Sequence, residues 1–284
     1  MPLPLGPYSS DEEGPCLLPD GQIVCGPHGL VVCDECCTDY ADPDPTQPDE
    51  DQEDCEYCRG PEKIRGTGRV FPTTFTPPTT SILPTELFPG RRTYGKVTRY
   101  VHRDDPRAVL IMTDGACLDN GQANPKAGWA LVHGPGLTNK PAIISARLEK
   151  EGPFGDEAVQ TSNRAELRAV IEALRFRYWP AEGFRTITIA TDSEYVVKGS
   201  TKWAKTWVKN NWKTSANACV KNKDLWELLL GDFERSDDEG LRIRFWWIPR
   251  NWNKNADAAA KKAAAEDTAA DHFMGWGGHH FPEN

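Results

Sequence analysis

At 284 residues, with 38% hydrophobic and 10% aromatic side chains, the chain carries enough apolar material for one large packed domain or two smaller ones, while a mean hydropathy of -0.59 and 23 prolines point to loop-rich portions. No apolar run approaches the ~20 residues that span a bilayer. The start, MPLPLGPYSSDEEG, has neither a basic leader nor a long apolar core, so the expectation is a non-membrane, intracellular protein of the nucleus or cytoplasm. Net charge is -9, but residues 1–62 hold 16 of the 42 acidic residues and only one of the 33 basic ones, so an acidic end precedes a mildly basic body.

Residues 1–60 also hold seven of the nine cysteines. Cys33-x-x-Cys36, Cys55-x-x-Cys58 and Cys25-x-x-His28 each leave a two-residue gap, which lets neighbouring side chains converge on one tetrahedral ion. In a reducing compartment such pairs are zinc ligands more often than disulfides. Structural zinc on a set drawn from Cys25, His28, Cys33, Cys36, Cys55 and Cys58 would let a segment with little apolar surface fold. An unfolded Cys-rich tail, or redox-active thiols, is the alternative. The acidity of this region disfavours nucleic acid and favours a protein partner, or a cover over the body's own basic surface.

Residues 61–106 are Pro/Thr-rich, without helical or strand periodicity, and read as a linker. The body, 107–268, then alternates. Ala108–Thr113 (AVLIMT) is an unbroken apolar run, a central strand buried on both faces. It ends on Asp114 and Gly115, with the glycine expected to turn the chain. Strands follow at 127–132 and 142–148, joined by turns into a meander. An amphipathic helix is expected over 161–178, a strand over 186–191 ending at Asp192, helices near 193–210 and 223–234, a strand at 241–248 and a last helix over 253–266. The sum is an α/β domain on a five-stranded mixed sheet flanked by helices. Residues 269–284 form a C-terminal tail with no interpretable spacing around His279-His280.

Two strands end on Asp. If they lie parallel and adjacent, Asp114 and Asp192 share the carboxyl edge of the sheet, where open α/β folds place their sites. Glu166 lies in the first helix and Asp257 begins the last. Each acid alone can be a cap or a surface charge. Crowded together, four acids need a counter-ion, and hard divalent cations suit oxygen ligands and in-line phosphoryl displacement.

TDGAC (113–117), TSNRAEL (161–167), TDSEYVVKG (191–199) and NADAAA (255–260), in that order, resemble the four motifs of type 1 ribonuclease H. With the Cys-rich leader, the pattern looks most like fungal members. The resemblance implies a ribonuclease H-like fold and two Mg²⁺ or Mn²⁺ ions held by Asp114, Glu166, Asp192 and Asp257. It further implies endonucleolytic hydrolysis of the RNA strand of an RNA/DNA hybrid, leaving a 5′-phosphate. A non-catalytic hybrid- or RNA-binding protein on the same fold is the alternative, and the intact acid tetrad argues against it.

Between Lys198 and Lys223 stand seven lysines and no acid; Lys198, Lys202, Lys205 and Lys209 recur along one helical face, with Trp203 and Trp207 an i, i+4 pair. Basic stripes interleaved with indoles suit phosphates and bases, although a solvated helix with core tryptophans gives the same pattern. The stretch resembles the family's basic protrusion, and by the same likeness Asn120, Ser162 and Asn163 would meet the hybrid's minor groove. The connection 248–255 carries no His, where many members of the family have one. Arg250 or Lys254 is expected to take an auxiliary role there.

Overall fold

The computed structural model describes residues 62–93, 97–136 and 140–273, with four two-residue strands nearer the N-terminus. It divides into two units, residues 1–61 with 276–284, and residues 62–275. In the first, β1 (Cys16–Leu17) pairs antiparallel with β2 (Ile23–Val24), and β3 (Val32–Cys33) with β4 (Thr38–Asp39). Of the expected zinc ligands, Cys25, His28, Cys36, Cys55 and Cys58 lie outside the described residues, as do the side chain of Cys33 and the pair His279-His280.

In the second unit the interval 61–106 is not a bare linker. It holds β5 (Thr73–Thr74), a one-turn α1 (Pro84–Leu87), β6 (Gly90–Arg92) and β7 (Thr98–Val101). Its apolar residues follow no single period because each serves a different short element, yet Leu87, Phe88, Tyr100 and Val101 are buried. Pro84 opens α1, where a missing N–H costs nothing.

Central strand β8 (Ala108–Leu118) is buried on both faces from Val109 to Met112, as its composition requires. It runs antiparallel to β9 (Lys126–Pro135), which in turn pairs with β10 (Pro141–Arg147). On its other side β8 is parallel to β11 (Thr186–Thr191), which is parallel to β12 (Arg242–Trp247). These are the five expected strands, in the order β10-β9-β8-β11-β12. Three short ones extend them: β5 lies parallel to β12, and β7 pairs antiparallel with β8 and carries β6.

Helix α2 (Ser162–Arg175) packs on β8 and β9 and against α5 (Lys223–Asp238), while α6 (Lys254–Ala265) packs on β8, β9 and β10. Leu110 and Met112 join Leu87, Phe88, Trp246 and Ala256 in one apolar cluster on the α6 side. The expected helix over 193–210 is three pieces, α3 (Glu194–Lys198), a wide π turn (Gly199–Trp203) and α4 (Ala204–Lys209). At Gly199 the π turn presses on Trp226, whose ring leaves no room for a Cβ.

An arm over 63–75 is fastened along α5. One carboxylate oxygen of Glu234 accepts from the backbone N–H groups of Thr67 (2.9 Å), Gly68 (2.6 Å) and Arg69 (3.0 Å) and from the Thr67 hydroxyl. Gly66 N–H donates to Glu227 O at 2.8 Å, and Arg65 pairs with the Glu227 side chain. At the far end of the unit, Lys63 Nζ donates to Phe273 O at 2.8 Å, and the Phe273 ring lies 4.3 Å from the guanidinium of buried Arg168.

Candidate active site

The site grows from the parallel pairing of β8 and β11. Their register, Thr186 opposite Ala108 through Ala190 opposite Met112, carries forward to set Asp192 level with Asp114 at one edge of the sheet. Gly115 does not turn the chain as expected, because β8 continues through it to Leu118. Its role is steric. A Cβ there would collide with the backbone of Ala165 and Glu166. The bare glycine lets the first turn of α2 settle against the strand and brings Glu166 to Asp114.

That turn is fixed from two sides. Thr161 Oγ1 accepts from Arg164 N at 3.3 Å as an N-cap, and buried Arg164 donates to Asp224 of α5 through its two terminal nitrogens, Nη1 (2.9 Å) and Nη2. Asp257 lies in the first turn of α6. Asn253, just before that helix, is 1% exposed, and its Nδ2 donates both to Thr113 O (2.9 Å) and to Asp192 Oδ1 (2.8 Å). One amide thus ties the middle of β8 to the residue that follows β11 and orients the Asp192 carboxylate.

Electrostatics follow from this crowding. Burial, then the neighbouring Asp192, pushes the Asp114 carboxyl up to about 7, although the Gly115 N–H donates to it at 2.9 Å. Glu166 is raised well above the usual carboxylate range by burial, with Asp114 and Asp192 adding to the effect. Asp257 goes the other way. Partial burial would raise it, but Lys261 (2.7 Å) and Arg250 (2.8 Å) each bind one of its oxygens and hold it below its ordinary value.

The donor set suits a hard divalent cation. All four groups offer oxygen, two are pushed toward protonation by burial and then by neighbouring carboxylates, and Glu166 Oε2 is buried with no hydrogen-bond partner. Among the described residues no three such side chains close into a ready-made cage. Asp257 is engaged by two cations, Arg250 and Lys261.

Around the acids, Asn120 Nδ2 meets Ser162 Oγ at 3.4 Å, and Asn163 is exposed one turn before Glu166. Lys202, Lys205 and Lys209 are exposed along the π turn and α4, whereas Lys198 is paired with Glu194 at 2.6 Å. Trp203 is exposed and Trp207 is half-buried. Their rings lie 6.0 Å apart, and Trp207 stacks edge-on at 5.4 Å against buried Trp226. Of the two expected auxiliary residues, Arg250 touches Asp257, and Lys254 is exposed on α6. Asn253 and Lys261 escaped the sequence reading. A polar residue four positions before Asp257 and a lysine four after it were the available signals.

The RNase H family model matches residues 106–265. A Ribonuclease H of Neorickettsia sennetsu is 39% identical over 163 residues, covering 56% of this chain and 94% of the relative. One of Chromohalobacter salexigens is 39% identical over 171 residues, covering 59% and 90%. A Ribonuclease HI of Haemophilus influenzae is 34% identical over 170 residues, covering 58% and 96%. Among solved structures, LC9-RNase H1 is 26% identical and covers 57% of this chain and 74% of that one, with a TM-score of 0.41.

Proposed function

The chain belongs to the RNase H family, and from that premise we propose that it hydrolyses the RNA strand of RNA/DNA hybrids endonucleolytically, with Asp114, Glu166, Asp192 and Asp257 as its metal-holding acids. The observation that carries the assignment of residues is the convergence of Asp114, Glu166 and Asp192 at one sheet edge, enforced by the Gly115 contact and the Asn253 clasp.

The family works with divalent ions such as Mg²⁺, and we assign two to this site. Bound there, they supply activation of the attacking water and neutralise charge on the phosphate and the leaving oxygen. The chain's own residues prepare the site. Glu166 and Asp114 give up protons on loading, Asn253 keeps the Asp192 carboxylate aimed, and Arg250 and Lys261 hold Asp257 until it is needed. Lys202, Lys205 and Lys209 face solvent where DNA phosphates can be neutralised, with Trp203 and Trp207 offering ring faces. Asn120, Ser162 and Asn163 are assigned to the minor groove, where 2′-hydroxyls mark the RNA strand.

A labelled hybrid incubated with the full chain, with and without EDTA, tests this reading. Cleavage should need the divalent ion and be lost in Asp114→Asn, and near-normal cleavage by that variant would refute it. For residues 1–60 we propose structural zinc on ligands from Cys25, His28, Cys33, Cys36, Cys55 and Cys58, and a basic protein surface as its partner. The spacing and acidity of the segment support this. Zinc content of the full chain against a chain lacking residues 1–61 checks it, and equal content would discard it.

A further inference from the structure

The arm 63–75 lies outside the residues matched by the family model, yet it reaches the helix to which hybrid binding is assigned. Gly68 sits with φ +79°, in the left-handed region, and packs on Val208 of α4. A Cβ on it would stand 2.9 and 3.1 Å from the two Val208 methyls. Phe71 then lies beneath the same helix, with Lys205 Nζ 5.3 Å from its ring centroid. The arm is itself held rigidly. Glu234 gathers the Thr67, Gly68 and Arg69 N–H groups, Gly66 lies backbone to backbone against Gly231, and β5 is paired to β12. Helix α4 has only six residues after a π turn; Ala204 and Trp207 tie one side of it to the core, and the arm meets it at Val208 and Lys205.

We propose that Phe71 is a positioning residue for substrate binding, bracing α4 and holding the Lys205 ammonium over its ring so that the lysine meets the hybrid's DNA phosphates already placed. A lysine fixed by a ring face loses less rotamer freedom on binding a phosphate than one free in solvent. The arm therefore contributes to hybrid affinity rather than to the chemical step. This inference rests on the assignment of α4 as the hybrid grip.

Steady-state cleavage of a fixed RNA/DNA hybrid by the full chain separates the two. Phe71→Leu keeps an apolar side chain of similar bulk and removes the π face, so it should fold, whereas Phe71→Ala also opens the packing. Both should raise KM by about 2- to 5-fold with kcat unchanged at a temperature well below either variant's Tm. The rise should shrink as salt is increased, because it acts through a phosphate contact. Phe71→Tyr, which restores the ring, should restore KM. Lys205→Ala should raise KM at least as far, and adding Phe71→Leu to it should change KM no further. A lowered Tm with unchanged KM in both Phe71 variants overturns the brace. If Lys205→Ala raises KM and Phe71→Leu does not, the brace falls and the grip stands. If Lys205→Ala also leaves KM unchanged, the grip falls with it.

Discussion

Asn253 donates to the Asp192 carboxylate at 2.8 Å and to the carbonyl of Thr113 at 2.9 Å, so the residue before Asp114 and the acid of the neighbouring strand hang from one buried amide. Asn253→Ala should leave a buried carbonyl unpaired and free the Asp192 carboxylate to rotate. Outer-shell losses of this kind weaken metal binding by about 10- to 100-fold, with a stability cost of about 1–3 kcal/mol. Titrating activity against Mg²⁺ beside a thermal melt checks both. Wild-type Mg²⁺ dependence in the variant would show that the clasp does not orient the acid.

Gly115→Ala should be more damaging than its size suggests. The clash is with helix backbone rather than with a flexible side-chain end, so α2 must shift, at about 1–3 kcal/mol. Since Glu166 moves with it, cleavage should fall on the order of 10²-fold. Measured together, a melt and a hybrid assay should show the rate loss far exceeding what the lost folded fraction explains.

Stability of the ion-free protein should fall as pH rises toward neutrality. The unfolded Asp carboxyl titrates at about 4, whereas burial and Asp192 push folded Asp114 up to about 7, and Glu166 is raised for the same reasons. The folded state binds these protons more tightly. The Asp114 contribution is thus fully present below about pH 4 and is lost as pH rises through about 7, and that of Glu166 is lost in the same direction. Asp257, held down by Lys261 and Arg250 against partial burial, works oppositely, its contribution being present above about pH 4 and lost in acid. Melts in EDTA across pH 4–8 should show the net decline. Asp114→Asn should flatten it, and Mg²⁺ at neutral pH should restore stability.

The two basic candidates of the 248–255 connection should behave differently. Arg250 binds Asp257, while Lys254 is exposed. Arg250→Ala should alter the Mg²⁺ concentration needed for half-maximal cleavage, and Lys254→Ala should leave it unchanged. Equal effects would mean that the contact with Asp257 is not what matters.

Folding should depend on residues ahead of the family-matched core. Phe88 is fully buried beside Trp246 and His102, so Phe88→Ala should cost about 3–5 kcal/mol. Leu83→Ala, at a more exposed position next to α1, should cost far less. Comparing their denaturant midpoints settles the point.

The five central strands, α2, α5 and α6 were legible because each is an apolar run or a periodic pattern long enough to count, and the acids because Asp114 closes an apolar run, Asp192 follows one, Glu166 lies within a helix and Asp257 is in the first turn of another. What stayed hidden lacks a period. Leu87 and Phe88 fill a gap under Trp246 from a single turn of helix, and Tyr100 comes from a four-residue strand, so residues 61–106 offer no repeat to read. Gly115 was legible as a glycine but not in its purpose, since its constraint comes from a helix some 50 positions later in the chain. Asn253 is one more asparagine in an asparagine-rich loop until the fold buries it. The π turn at Gly199–Trp203 breaks a lysine spacing that reads as continuous helix, because Trp226 demands the room.

The hydrogen bond from Lys63 to the carbonyl of Phe273 has a consequence for engineering. It places the entry and exit of the catalytic unit side by side, so joining them with a short peptide and opening a surface loop elsewhere would give a circularly permuted enzyme without stretching the sheet. The same adjacency suits the unit to insertion as a cassette within a loop of an unrelated host protein, its two junctions lying within the reach of one lysine side chain.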